Sequence, residues 1–507
     1  MTALLDRFGA WLVDRLNPIV VKEIRQGMKG RLFHAWFLIV LCIGSIVTLV
    51  SSHLIDELDD VSFGRDVFLW FVFFSNFLAL ALAPMTAYLT ISAERDDRTL
   101  ELVDITRLRP SDVVRGKIFS TLTQALLYIS ALVPFMVFCY FLRGLDIPSI
   151  LLVLAIQVLS SALFTTIAIA VATSIASRPV RLIVGALLAL GFLTTCFLGL
   201  GAAFEIIREG VAAEIIRTLG ETETRQVLAG ILFVYTSTLA LAYAVAVGNT
   251  SFESANRATP VRIVLFAQWL GFLALMTWVH LDGSHSPGTL VTFVLLFFAL
   301  WFVAGFWLVS DPGRISRRTW RHLESRARET RFLLSAFLPG AERGVVFFLL
   351  PLIATPLLAL GLRAWVPPDP ARVSFGRFAT GELFPVFLGL GAAYAAVYVL
   401  GPWLVCRLLR IHAAAKVRVA IVLGLLLGLT LPLLTLLAAE PQSLDFDLRL
   451  LVWGSNPVYA LASMAEEDRI AWTLVRIALP TAGVLVVAAI AVAARRLLPR
   501  GPEEPRG

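Results

Sequence analysis

Three side chains of metal-ligating type stand close together in one short stretch, His280, Asp282 and His285 of HLDGSH. With only six histidines scattered through 507 residues, chance grouping is the better reading, and no metal site is expected. The other patterns that carry chemistry are missing. No GxxxxGK[ST] phosphate loop occurs, because Gly116-Lys117 is followed by Ile118 and no glycine stands five positions before Gly116. Neither an HExxH zinc site nor a GxSxG serine elbow is present. Cys42, Cys139, Cys196 and Cys406 are far apart, with no CxxC pair to support a disulfide framework or a zinc site. No catalytic residue and no resident cofactor is expected in this chain. The remaining polar candidates, Asn76, Gln124, Gln157 and Gln268, lie inside apolar blocks, where amides usually hydrogen-bond one helix to another. No series of buried carboxylates marks a proton relay, which weighs against a secondary transporter.

The elements that hold these residues are membrane spans. Hydrophobic residues make up 58% of the chain and charged ones 16%, against about 45–50% and about 25% in soluble domains. The apolar residues come in blocks long enough to cross the bilayer, which takes about 20 helical residues. Spans are predicted near 34–52, 67–91, 118–142, 150–176, 182–203 and 227–247. A second set follows near 263–280, 288–309, 345–365, 383–402, 419–438 and 471–494. The fold class expected is therefore all-α, a polytopic bundle of about twelve transmembrane helices. Twelve spans put both termini on one side. With the termini cytoplasmic, the inner segments hold 32 of the Lys and Arg residues and the outer ones 10, as the positive-inside rule requires. The net charge of +7 is thus a matter of topology, and no nucleic-acid partner is expected. The start, MTALLDRFGAWLVDRLNP, has charges among its apolar residues and is not a signal peptide.

Two polar stretches carry helical periodicity. In residues 1–33, Leu4, Phe8, Trp11, Leu12 and Leu16 share one face. Asn17 then suits an N-cap and Pro18 the first position of a new helix, IVVKEIRQGMKGR, with Ile24 and Met28 on one face and Lys22, Arg25 and Lys29 elsewhere. That pattern fits helices lying at the membrane interface. In 204–226, Phe204, Ile207, Val211, Ile215 and Leu219 follow helical spacing between Glu205, Arg208, Glu214 and Arg217, and short helices dipping into the outer interface are expected.

Between the second and third predicted spans runs ISAERDDRTLELVDITRLRPSDVVRGKIF. The residue before a proline leaves the helical region, so Arg109-Pro110 should end a short cytoplasmic helix, with Ser111 capping the next span. The stretch resembles the cytoplasmic loop of ABC-2-type transporter permeases, the membrane subunits of ATP-binding-cassette exporters. The matching positions are Glu94, Arg95, Thr99, Leu100, Glu101, Leu102, Thr106, Leu108, Pro110, Gly116 and Lys117. Asn17, Pro18, Lys22, Glu23 and Arg25 resemble the same family's interfacial lead-in helix. Arg98 stands where that family has glycine, and Arg107 where proline is common. The likeness covers roughly residues 15–250. It implies that Glu94, Arg95, Thr99, Leu100, Glu101, Leu102, Arg109 and Pro110 form a coupling helix that docks on a separate ATP-binding subunit, where ATP and magnesium would be held.

Three segments follow: interfacial helices over 1–33, an ABC-2-like six-span domain over 34–250, and a second six-span domain over 251–507. No second copy of the Thr-Leu-Glu loop is visible, but the Arg-rich segment 310–343 occupies in the second half the place that 92–117 holds in the first. Either two twelve-span chains form a homodimer or one chain supplies both halves of a pore. The expectation is a permease of a bacterial inner membrane, in contact with lipid and an ATP-binding subunit. The alternative is a non-transporting scaffold of an envelope complex.

Overall fold

A chain this apolar has one way to satisfy its backbone in hydrocarbon without closing a barrel, which is to bond every N–H within a helix. The computed structural model describes residues 18–54, 63–97, 109–142, 145–175, 177–252, 255–281, 287–313, 321, 334–366, 383–411, 413–438 and 468–497, and no strand occurs among them. The chain divides into two compact units, Met1–Phe252 and Glu253–Gly507.

Unit 1 opens with α1 (Pro18–Met28) and α2 (Arg31–Leu54). Next comes α3 (Phe63–Asp96), a continuous helix interrupted by one π-helical stretch, Phe77–Leu82. It is followed by α4 (Pro110–Phe141), α5 (Ile147–Ser174), α6 (Arg178–Arg208), the short α7 (Val211–Thr218) and α8 (Thr222–Thr250). Helix α3 packs on α2, α4, α5 and α6; α4 packs on α2, α5 and α8; α5 packs on α6 and α8. Phe68, Phe71, Leu132 and Met136 form the centre of its core and are almost wholly buried.

Unit 2 contains α9 (Ala258–Leu281), α10 (Pro287–Val309), α11 (Ala341–Trp365), α12 (Leu383–Leu408), α13 (Ala414–Ala438) and α14 (Asp468–Leu497). Helix α9 packs on α10 and α11; α10 on α11, α12 and α13; α11 on α12 and α14; α12 on α13 and α14.

Among the described residues eleven helices are long and apolar enough to cross a membrane. The predicted span 419–438 falls inside α13, a further apolar helix of 25 residues. Leu38, Leu49, Leu182 and Val484 are exposed on helix exteriors, as expected of side chains whose solvent is lipid. This is an all-α integral membrane protein.

Two local expectations are corrected. Helix α4 begins at Pro110, with Arg109 as its N-cap in extended backbone, so Ser111 is already inside the helix. Proline takes the first position because its missing N–H is one that the first turn leaves unpaired anyway. The stretch 204–226 forms one separate short helix, not several. Phe204 to Arg208 finish α6, and α8 starts at Thr222. Gly210 breaks the register by taking φ +60°, a left-handed conformation open to glycine at little cost.

Candidate functional site

The last turn of α3 carries three consecutive charges, Glu94, Arg95 and Asp96. Successive residues on an α-helix point about 100° apart, so three neighbours can reach three different partners. Here they do. Glu94 accepts from Lys117 of α4 at 2.6 Å, Arg95 turns to the end of α5, and Asp96 pairs with Arg181 of α6.

Lys117 is enclosed, with 7% of its side chain exposed. Its Nζ lies 2.6 Å from Glu94 Oε1 and 3.4 Å from Glu23 Oε1 on α1, so one buried ammonium joins three helices. Helix α1 reaches it with a face made of Val20, Glu23, Ile24 and Gly27, spaced i, i+3, i+4, i+7. Gly27 lies against the Gln124 amide of α4, and a Cβ there would make that side chain move. The face expected from Ile24 and Met28 is thus only partly turned inward: Met28 is exposed, as are Lys22 and Arg25.

Arg95 closes the end of α5. Its Nη1 donates to the carbonyls of Ala172 (3.3 Å), Thr173 (2.8 Å) and Ile175 (2.9 Å). The last carbonyls of a helix lack intrahelical donors and carry partial negative charge, so a guanidinium satisfies both needs. Arg181, itself buried, donates to the Ile175 carbonyl at 3.2 Å and pairs with Asp96, while Arg178 lies 3.6 Å from the same carboxylate. Tyr88 Oη donates to the Arg181 carbonyl at 2.6 Å, and Gly185 leaves room for the Tyr88 ring. Asn249 near the end of α8 donates to Ser174 Oγ at 2.8 Å. The end of α3 is therefore bonded to α4, α5 and α6 and, through Lys117, to α1.

A second polar group lies deeper. Gln157 of α5 accepts from Ser75 Oγ at 2.9 Å and donates to Asn76 Oδ1 at 3.0 Å, and Asn76 Nδ2 reaches the Cys196 carbonyl of α6 at 3.4 Å. These bonds sit beside the π-helical stretch of α3 and line a cavity of about 300 Å³ with Leu80, Phe164 and Gly199. The amides join helices across the core, the role expected of them, and Gln124 sits against α1.

Of the predicted coupling residues, Glu94 and Arg95 are joined to the rest of unit 1, and Arg109 and Pro110 open α4. Thr99, Leu100, Glu101, Leu102, Thr106 and Leu108 lie outside the described residues, as does Asn17. Pro18 is the first residue of α1. His280 is buried with Nε2 3.3 Å from the Leu362 carbonyl, and Asp282 and His285 lie outside the described residues. Among the described residues no three His, Cys, Asp or Glu side chains converge on a metal site.

Sequence reasoning missed Asp96, Arg181 and Tyr88. It also missed a buried cluster in unit 2. Arg262 of α9 donates to Asp311 Oδ2 at 2.8 Å and to the carbonyls of Ala336, Leu338 and Gly340. Asp311 in turn accepts from the Gly313 and Gly340 backbone N–H groups, and Gly340 holds φ +128° to make the turn into α11. The sequence shows Arg181 and Arg262 only as charges that count toward sidedness, and gives Asp311 no role. Their signal was position, each within a few residues of a span end.

Comparison with family models, with curated proteins and with solved structures yields no match.

Proposed function

We propose that this chain is the permease subunit of an ATP-binding-cassette exporter, driven by a separate cytoplasmic ATP-binding subunit that carries the nucleotide and magnesium. The observation that carries the reading is the meeting of Glu23, Glu94 and Lys117. Each is a position of the ABC-2 resemblance, they come from three helices, with Glu23 on α1 lying 94 residues from Lys117, and they share one ion cluster around a buried ammonium.

The geometry suggests how the site would work. The segment 98–108 leaves from the end of α3 and returns at Arg109, the N-cap of α4. A force on it is delivered at Glu94–Asp96 and at the head of α4, the parts bonded to α1, α5 and α6. In this reading Glu101 and Leu102 meet the partner, while Glu94 and Arg95 pass its movement into the bundle. A partner that binds one arrangement of these helices more tightly shifts the bundle towards it by that difference in affinity. The membrane is the bacterial inner membrane, with both termini cytoplasmic.

The test is a detergent pull-down of the tagged full chain, with its stoichiometric partners identified. The expected partner carries a GxxxxGK[ST] loop and hydrolyses ATP. Glu101→Ala together with Leu102→Ala should lower its recovery at least tenfold while leaving the chain folded. A chain recovered with no ATPase, or with an ATPase indifferent to these changes, would overturn the reading or its coupling site respectively.

A further inference from the structure

Numbered by order in their own unit, the six long helices of unit 1 are α2, α3, α4, α5, α6 and α8, and those of unit 2 are α9 to α14. In both units the first helix packs on the second and third, and the second packs on the third, fourth and fifth. In both, the third packs on the fourth and sixth, and the fourth packs on the fifth and sixth. Every pair of these helices in extensive contact in one unit has its counterpart in the other. Chain connectivity does not explain the match. The third and sixth helices meet though two spans separate them in sequence, and the fifth and sixth, which are consecutive, are not in extensive contact in either unit. Sequential neighbours usually pack together, so a shared exception is informative.

The polar ends agree at the level of residues. In each unit a carboxylate at or just past the end of the second long helix pairs with an enclosed cation, Glu94 in the last turn of α3 with Lys117 and Asp311, two residues beyond α10, with Arg262. The first turns of the fifth helix then send an arginine to that same end: Arg181 to Asp96, and Arg418 to Ser310 Oγ at 2.9 Å. Near the head of the third helix both units have a proline, an acidic residue and an Arg-Gly pair in that order but at different spacings: Pro110, Asp112 and Arg115-Gly116 within α4, and Pro339 before α11 with Glu342 and Arg343-Gly344 inside it. The cation on the carboxylate comes from the third helix in one unit and the first in the other, as expected of copies that have diverged.

We propose that the two units are tandem copies of one six-helix module, so that a single chain does the work of a symmetric pair. The end of unit 2 around Asp311, Arg262 and Arg418 is then the counterpart of the Glu94–Lys117 end, and it takes a second ATP-binding subunit. The subunit count rests on the permease reading; the single-copy statement does not. The Lys and Arg count puts segments 92–117 and 310–343 alike among the inner ones. Most soluble oligomers close by pairing identical copies about a two-fold axis. A chain that already holds two copies of its module has no need of another chain for this.

Two versions of the full chain bearing different affinity tags are co-expressed, purified on one tag and probed for the other, and the particle's composition is read by native mass spectrometry. The expected result is one chain per particle, with the second tag absent and two ATP-binding subunits per chain. Two chains per particle would overturn the single-copy proposal. One chain with one ATP-binding subunit would overturn the assignment of the second docking end. Recovery of no ATPase would sink the permease reading and the two-subunit count with it, while the tag result would still decide the copy number.

Discussion

At the scale of the residue, Lys117 decides most. Its ammonium is enclosed between two carboxylates, and removing one partner of a buried ion pair leaves the others uncompensated. Lys117→Met should lower the stability of the detergent-solubilised chain by about 3 kcal/mol. The figure is at the low end of the buried-pair range because Glu94 keeps 28% of its side chain exposed. Adding Glu94→Gln removes the nearer of the two stranded charges, leaving Glu23, so the double variant should lose less than the sum of the two single variants, by about 1–3 kcal/mol of coupling. Denaturation of all three variants in one detergent measures this. Strict additivity would mean that the pair is a surface contact of no consequence. Glu23, Glu94 and Lys117 stand out in the sequence as positions of the resemblance, but nothing there shows that they meet. Asp96 and Arg181 were not, because two charges 85 residues apart carry no local sign that they will meet.

The scale of the element shows a different balance. Long apolar blocks read directly as spans, since hydrocarbon admits few other structures. Helix ends did not read as well, because they depend on backbone details such as proline at the head of α4 and the left-handed Gly210 before α7. Close approaches between helices were also invisible. Gly344 of α11 lies so near α10 that an added Cβ would land on the Leu308 carbonyl oxygen, which is backbone and cannot swing aside. Gly344→Ala should therefore push the two helices apart at a cost of about 2–3 kcal/mol. Gly361→Ala is the control on the same helix, because nothing lies within 4 Å of its Cβ position. There alanine should be neutral or stabilising by up to about 1 kcal/mol. Thermal unfolding of the two variants side by side separates the cases, and equal midpoints would show that α10 and α11 are not so closely apposed.

For the whole molecule, the sidedness of the chain joins the fold to the proposed work. The excess of Lys and Arg, 32 against 10, predicts that the α3–α4 segment is inside. In that proposed orientation the same side receives the ends where Glu94, Lys117 and Arg181 cluster, and α7 and the end of α6 are on the outer side. On a background lacking the four native cysteines, Asp97→Cys and Glu209→Cys report the two sides, since both positions are exposed. A membrane-impermeant maleimide should label Glu209→Cys in intact cells and Asp97→Cys only after lysis. The reverse pattern would put segment 98–108 outside the cell, where no cytoplasmic ATPase could reach it. The coupling reading would then fail even with the ion cluster intact, because the cluster can transmit only a force applied on its own side of the membrane.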